Sequence, residues 1–242
     1  MNLSAVESIA HIREKDGTRQ TLEEHLFGTA SLSRKYAAKI ALGAMGELQG
    51  LLHDIGKYSL EFQAYLASAG GLLDQDCDEF VDATQQKGKI DHSTAGAQYI
   101  WENIPQEKHI YHTAAQVLAL SLASHHSGLI DCLASDGSDI FTKRMNKPDK
   151  NTHYAEVLSK IPLPIARRVK ELLEGPELLP EFQNHISSII QNEKIDGKGT
   201  NAEKLNRVFF KTGLTLRMLF SCLIDGDRTD TANFEKDCTA SA

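Results

Sequence analysis

The chain has 242 residues, 41% of them hydrophobic and 24% charged, which suits one domain of good size, or at most two small ones, with a core large enough to fold without disulfides. Its 26 basic and 33 acidic side chains leave a formal charge of −7. That balance argues against binding nucleic acid through bulk electrostatics, but not against a nuclease whose positive charge comes locally from metal ions. Cys77, Cys132, Cys222 and Cys238 form no C-x-x-C pair, so they read as free thiols of a reducing compartment rather than as a zinc ribbon. The start of the chain lacks the basic-then-apolar pattern of a signal peptide, and no apolar run approaches the roughly 20 residues of a membrane span. A cytoplasmic chain without membrane contact is expected.

In chain order, Thr21-Leu22-Glu23-Glu24 is a capping-box pattern that starts a helix running to about Leu42. A second helix is expected over about 45–55, ending in His53-Asp54-Ile55-Gly56-Lys57 with Gly56 as its stop. A short third follows over 59–68. The Gly- and Asp-rich stretch 70–90 reads as loop. Asp91 can cap a helix from 92 to about 103, which Pro105 ends. Residues 111–125 form a strongly apolar helix that ends at His125-His126-Ser127-Gly128. The polar segment 130–153 reads as a surface loop or insertion, followed by helices over about 163–175 and 180–191 and a loop over 195–201. The last helix, about 202–224, is apolar on most sides (Leu205, Val208, Phe209, Leu214, Leu216, Leu219, Phe220, Leu223), which implies a buried central helix ending at Asp225-Gly226-Asp227. With no β alternation, the expected fold class is all-α, a helical bundle.

Chemistry concentrates in five places. His53-Asp54 follows two leucines at a buried helix end, where a carboxylate needs a charge partner or a metal; the alternative is a His–Asp hydrogen bond that only orients a helix. His125-His126 closes another apolar helix, as ligands or as an exposed polar turn. His92 follows the capping Asp91. His25 lies early in the first helix on a mixed face. Asp225 directly follows the most apolar helix and needs a cation or a hydrogen-bonding partner. Together, His25, His53, Asp54, His92, His125, His126 and Asp225 are seven N/O donors without a cysteine. That set suits one or two divalent ions of the Mn, Fe, Co or Ni type better than a structural zinc, with Mg and Zn as further candidates. His11, His109, His112, His153 and His185 lie outside these motifs and read as surface or packing residues.

The order H…HD…H…HH…D resembles that of the HD superfamily of metal phosphohydrolases. The wording LLHDIGKYSLEFQAYL, DHSTAGAQYI, SHHSGL and CLIDGDRTDT, with the opening HIREKDGTRQTLEEHLFGTA, is similar to the HD nuclease domain of the CRISPR-associated nuclease-helicase of type I interference systems. The resemblance runs from about His11 to Thr231. It implies a helical bundle whose metal centre cuts single-stranded DNA. One ion would be held by His25, His53, Asp54 and Asp225. A second would be held by Asp54, His92, His125 and His126, with Asp54 bridging and acting with Lys57 in catalysis. Lys57 and Ser127 would meet the substrate, with Lys57 facing the scissile phosphate. It further implies a helicase that feeds the strand and a CRISPR surveillance complex as partners. No G-x-x-x-x-G-K-[ST] loop occurs in the sequence, so the expected division is a nuclease domain over 1–232 and a tail, or the start of a linker to a helicase, over 233–242. Lys143, Arg144, Lys147 and Lys150 form a basic segment that reads as a solvated loop, with contact to a phosphate backbone or a partner as the other reading. Two competing functions remain at this point: an HD phosphohydrolase of nucleotides or cyclic nucleotides, and a non-catalytic HD-like module that binds a partner.

Overall fold

The computed structural model describes residues 7–13, 15–69, 90–196 and 198–236. Of the stretch expected as a loop over 70–90, all but Ile90 lies outside the described residues, as does the tail over 237–242. Among the described residues the regular structure is helical apart from a two-stranded antiparallel hairpin, β1 (Ile9–Ile12) and β2 (Arg19–Thr21). Strands of three and four residues are too short to show alternation, which is why the sequence pattern does not reveal them.

Thr21 ends β2 and caps α1 (Leu22–Ala37). The capping box forms as expected, with the Glu24 amide donating to Thr21 Oγ1 (3.1 Å) and the Thr21 amide to Glu24 Oε2 (3.1 Å). The helix is shorter than its pattern suggested. A 3-10 turn over Ala38–Ile40 and a left-handed Ala41 (φ 58°) redirect the chain into α2 (Gly43–Leu52). The two helices lie so close that a Cβ on Gly50 would come within 2.3 Å of Ala30 Cα. Between them they bury Leu22, Leu26, Leu48, Leu51 and Leu52, each contributing about 1.5–3 kcal/mol of transfer free energy.

After a 3-10 turn over Ile55–Tyr58 come α3 (Leu60–Ala69), α4 (Thr94–Asn103) and the apolar α5 (His109–Ser124). The segment expected as a loop is instead organised into α6 (Ile140–Met145) and the short α7 (Asp149–Thr152), followed directly by α8 (Tyr154–Lys160). Asp139 caps α6 by accepting from the Thr142 amide at 2.8 Å, a local start signal hidden in a polar stretch. Next are α9 (Leu163–Glu174), α10 (Leu178–Asp196) and α11 (Asn201–Glu235).

The last helix departs most from expectation. It continues through Asp225-Gly226-Asp227 to Glu235, past the boundary expected at 232. It is also not buried on most sides: its later half packs on α1 through Leu219 and Leu223, whereas Leu205, Phe209, Phe210, Leu214 and Met218 are exposed. Gly226 does not stop the helix. A Cβ there would lie 2.4 Å from Ser33 Oγ, so the glycine allows α11 to lie against α1. Among the described residues no helix is long and apolar enough to cross a membrane.

Candidate metal centre

Two helix ends, a loop and a helix face converge on Asp54. α1 carries His25 in its second turn. α2 delivers His53 and Asp54 at its C-terminus, the loop before α4 delivers His92, and α5 ends at His125 and His126. His25, His53 and Asp54 are almost fully buried, whereas His126 is exposed.

The two oxygens of Asp54 face two different sets of nitrogens. Oδ2 lies 3.6 Å from His25 Nε2 and 3.4 Å from His53 Nε2. Oδ1 lies 3.1 Å from His125 Nε2, 3.6 Å from His126 Nε2 and 3.7 Å from His92 Nε2. Within each set, one donor atom from every residue lies within 4.8 Å of the others. Lys57 Nζ adds an ammonium 2.8 Å from Asp54 Oδ2.

The outward nitrogens of the rings are tied. His53 Nδ1 donates to Gly50 O (2.9 Å), His125 Nδ1 to Leu122 O (2.7 Å) and His92 Nδ1 to Ile90 O (3.1 Å), while His25 Nδ1 donates to Asp230 Oδ2 (2.8 Å). A carbonyl or carboxylate can only accept, so these bonds fix Nδ1 as the donor and leave a lone pair on Nε2 of each neutral ring. Those lone pairs face the Asp54 carboxylate, and that of His92 also meets His126 Nε2 at 2.5 Å. The buried Nε2 atoms of His25 and His53 have no hydrogen-bond partner. Lone pairs turned toward one another repel, and a cation among them reverses the sign of the interaction. The donor set therefore fits divalent ions, with Asp54 positioned to serve both.

Charge leads to the same result. Asp54, Asp227 and Asp230 bring three carboxylates against the single ammonium of Lys57. Burial raises the pKa of Asp54, but Lys57, His53, His125 and His126 outweigh it and hold the carboxyl well below the ordinary carboxylate range. Burial opposes charge on His25, yet the surrounding carboxylates of Asp227, Asp230 and Asp54 push its pKa up to about 10. Without an ion, a proton on His25 supplies positive charge the site demands. His92 titrates near 4, chiefly because burial disfavours its cation, and burial likewise lowers His125; both are neutral, as ligation requires.

One expected ligand is corrected. Asp225 is exposed and stands away from the cluster. The carboxylate that arrives is Asp227, with Oδ1 at 3.4 Å from His25 Nε2 and 3.7 Å from His53 Nε2. The signal was present in the period of α11: Leu219, Leu223, Gly226, Asp227 and Asp230 fall on one face, and Asp225 does not. Ser127 lies in an exposed turn with its hydroxyl donating to Gly128 O at 3.3 Å, so the structure does not bring it to the centre.

His11 is the residue the sequence reading missed. A register irregularity between Ile9 and His11 bulges β1, and its ring ends 4.8 Å from that of His25. Burial, then the neighbouring Lys57, lowers its pKa to about 3. Gln63 holds this arrangement: its amide nitrogen donates to Ile9 O (3.0 Å) and Lys57 O (2.8 Å), and its oxygen accepts from the Ile9 amide (2.9 Å). Gly56 is likewise not the expected helix stop. A Cβ on it would lie 2.2 Å from His92 O, so it is the point where the loop bearing His92 closes on the Asp54 turn.

The basic segment is partly structural. Arg144 donates to Thr94 Oγ1 (2.7 Å), Ser93 Oγ (2.9 Å) and Ala123 O (3.3 Å), and Lys147 pairs with Asp91 at 2.5 Å. These bonds clamp the loop of His92 to the end of α5 that carries His125 and His126. Lys143 and Lys150 are exposed.

A family model described as Cas3, HD domain, matches residues 8–187. That span contains His25, His53, Asp54, Lys57, His92, His125 and His126 and ends before α11, which carries Asp227. No curated protein matches the chain.

Proposed function

The chain belongs to the Cas3 HD-domain family, HD-type nuclease domains of CRISPR systems, and on that premise we propose that it is a metal-dependent nuclease hydrolysing phosphodiester bonds of single-stranded DNA in type I interference. The observation that carries this reading is Asp54, whose two oxygens each face a separate set of histidine nitrogens. His25, His53, Asp54 and Asp227 would hold one ion; Asp54, His92, His125 and His126 a second. Ions of the Mn, Fe, Co or Ni type suit these donors. When bound, they supply Lewis acidity toward a phosphoryl oxygen and lower the pKa of the attacking water.

The protein's own groups do the rest. The Nδ1 hydrogen bonds hold the rings of His25, His53, His92 and His125 in one tautomer and one orientation before substrate arrives, so little reorganisation is needed during reaction. Lys57 is next to the shared carboxylate and neutralises charge that builds on a phosphoryl oxygen. With a net charge of −7 the chain does not attract DNA broadly. That supports a strand delivered by a helicase subunit or domain and a surveillance complex.

Metal-stripped protein given circular single-stranded DNA, with Mn²⁺, Ni²⁺, Co²⁺, Mg²⁺ or Zn²⁺ restored in separate reactions, tests the reading. Ion-dependent opening of the circle that is lost in Asp54→Ala is the expected result. Cutting retained in Asp54→Ala refutes the assignment of the centre. Hydrolysis of mononucleotides with no action on the circle refutes the nuclease reading in favour of a nucleotide phosphohydrolase.

A further inference from the structure

Lys57 and His11 stand between two cavities. One, of about 350 Å³, is lined by Asp54, Asp227, Arg228 and Thr231 and opens on the metal centre. The other, of about 270 Å³, is lined by Phe62, Tyr65, Leu66 and Ile90, with His92 at its edge. The first is bordered by charged residues of the centre; the second has aromatic and aliphatic side chains as the wall away from Lys57, His11 and His92.

We infer that the second cavity is a nucleobase pocket, which receives the base of a nucleotide flanking the scissile phosphate. This inference rests on the single-strand nuclease reading above. A phosphate engaged by Lys57 and the ligands of Asp54 has the pocket as its neighbour. Lys57 Nζ lies 2.8 Å from Asp54 Oδ2 and 5.6 Å from the centroid of the Phe62 ring. The Phe62 ring in turn stands 4.7 Å from that of His92 and 5.8 Å from that of Tyr65. One side chain, His92, thus presents a nitrogen to the centre while its ring borders the pocket. Phe62 is buried and fixed, whereas Tyr65 is half-buried and free to meet a planar ligand.

The chemistry matches what this chain lacks elsewhere. A nuclease with a net negative charge gains little affinity from phosphate contacts alone. Stacking on aromatic side chains supplies affinity without charge, and it tolerates any base because every base has a π-face. Arg228, which lines the first cavity together with Lys57, is the cation available there to a neighbouring phosphate of the strand.

The test uses a fluorescent single-stranded decamer and the same decamer with abasic residues at its three central positions. Binding is measured by anisotropy on manganese-loaded protein with phosphorothioate-linked strands on ice, and cleavage with ordinary strands. The wild type is expected to bind the base-bearing strand about tenfold more tightly. Tyr65→Ala should erase most of that preference and raise KM about tenfold, with kcat and manganese content unchanged. Tyr65→Phe and Tyr65→Trp should retain it, which excludes a role for the hydroxyl. Equal binding of the two strands by the wild type, a preference that survives in Tyr65→Ala, or no binding of either strand overturns the pocket. If Tyr65→Ala loses the preference but no strand is ever cut, the pocket stands and the nuclease reading falls. Normal cutting that ignores Tyr65→Ala has the reverse meaning.

Discussion

At the scale of single residues, the centre is organised by which nitrogen of each ring is tied. His25 shows the consequence most clearly. Its folded pKa of about 10 lies above the roughly 6.5 of an unfolded histidine. In the metal-free protein its contribution to stability is therefore complete below pH ~6.5 and is lost as pH rises toward 10. An ion must displace that proton, so metal affinity should rise with pH over the same window. Calorimetric titration with Mn²⁺ at pH 7.5, in two buffers of different ionisation enthalpy, should show release of about one proton; no release would mean that His25 is not a ligand. Asp230 accepts from His25 Nδ1 at 2.8 Å, and Asp230→Asn should weaken metal binding by about 10–100-fold, as loss of an outer-shell partner does. Asp225→Asn should leave metal content unchanged, whereas Asp227→Asn should lower it. Equal metal content in those two variants would restore Asp225 to the site. The local motifs made His53, Asp54, His92, His125 and His126 legible, because adjacent donors at helix ends are conspicuous. Asp227 was obscured by a helix end drawn too early, and His11 by a long-range approach that depends on a bulge in a strand of four residues.

At the scale of elements, each ligand's precision depends on how closely its segment meets the next. Gly56 shows this where the Asp54 turn meets the His92 loop. Its missing Cβ would occupy the position of the His92 backbone. Gly56→Ala must displace that loop and should cost about 1–3 kcal/mol as overpacking does, together with affinity at the Asp54–His92–His125–His126 set. The clamp made by Arg144 works from the other side, since one guanidinium bonds Ser93, Thr94 and Ala123. Arg144→Ala should leave binding of an ion at His25–His53–Asp54–Asp227 near wild type and weaken the other. Elemental analysis of protein dialysed against limiting Mn²⁺ should then fall from two ions per chain toward one. An equal loss at both sets would show that Arg144 supports the whole fold rather than one half of the centre. Neither role was visible in the sequence. A glycine after a helix reads as a stop, and arginine and lysine in a polar stretch read as solvated, until the contact partners 21 to 56 positions away are known.

For the whole molecule, the helical class followed from periodicity, and α3, α4, α5 and α9 fell close to their expected ranges. What periodicity could not give was depth. α11 has apolar residues on several faces, yet only Leu219 and Leu223, among those named for its core, are fully buried, while Leu205 and Phe209 remain exposed. Composition records what a helix carries, and only tertiary contacts decide which side is covered. The same contacts make the centre a junction: α1, α2, α5 and α11, together with the loop before α4, meet at Asp54. An ion bound there ties four helices at once, and without it Asp54 and Asp227, which belong to different segments, repel. Metal should therefore act on the global unfolding of the chain. At a free ion concentration about 100 times Kd, linkage adds about 2.7 kcal/mol, which for a domain of this size corresponds to a rise in Tm of roughly 5–10 °C. Differential scanning calorimetry with and without Mn²⁺ measures it. Asp54→Ala should show almost none of the rise, because it removes the one carboxylate that both sets of ligands share. Asp225→Asn should show all of it. A metal-dependent rise that persists in Asp54→Ala would place the stabilising ion elsewhere on the protein and separate it from the Asp54 centre.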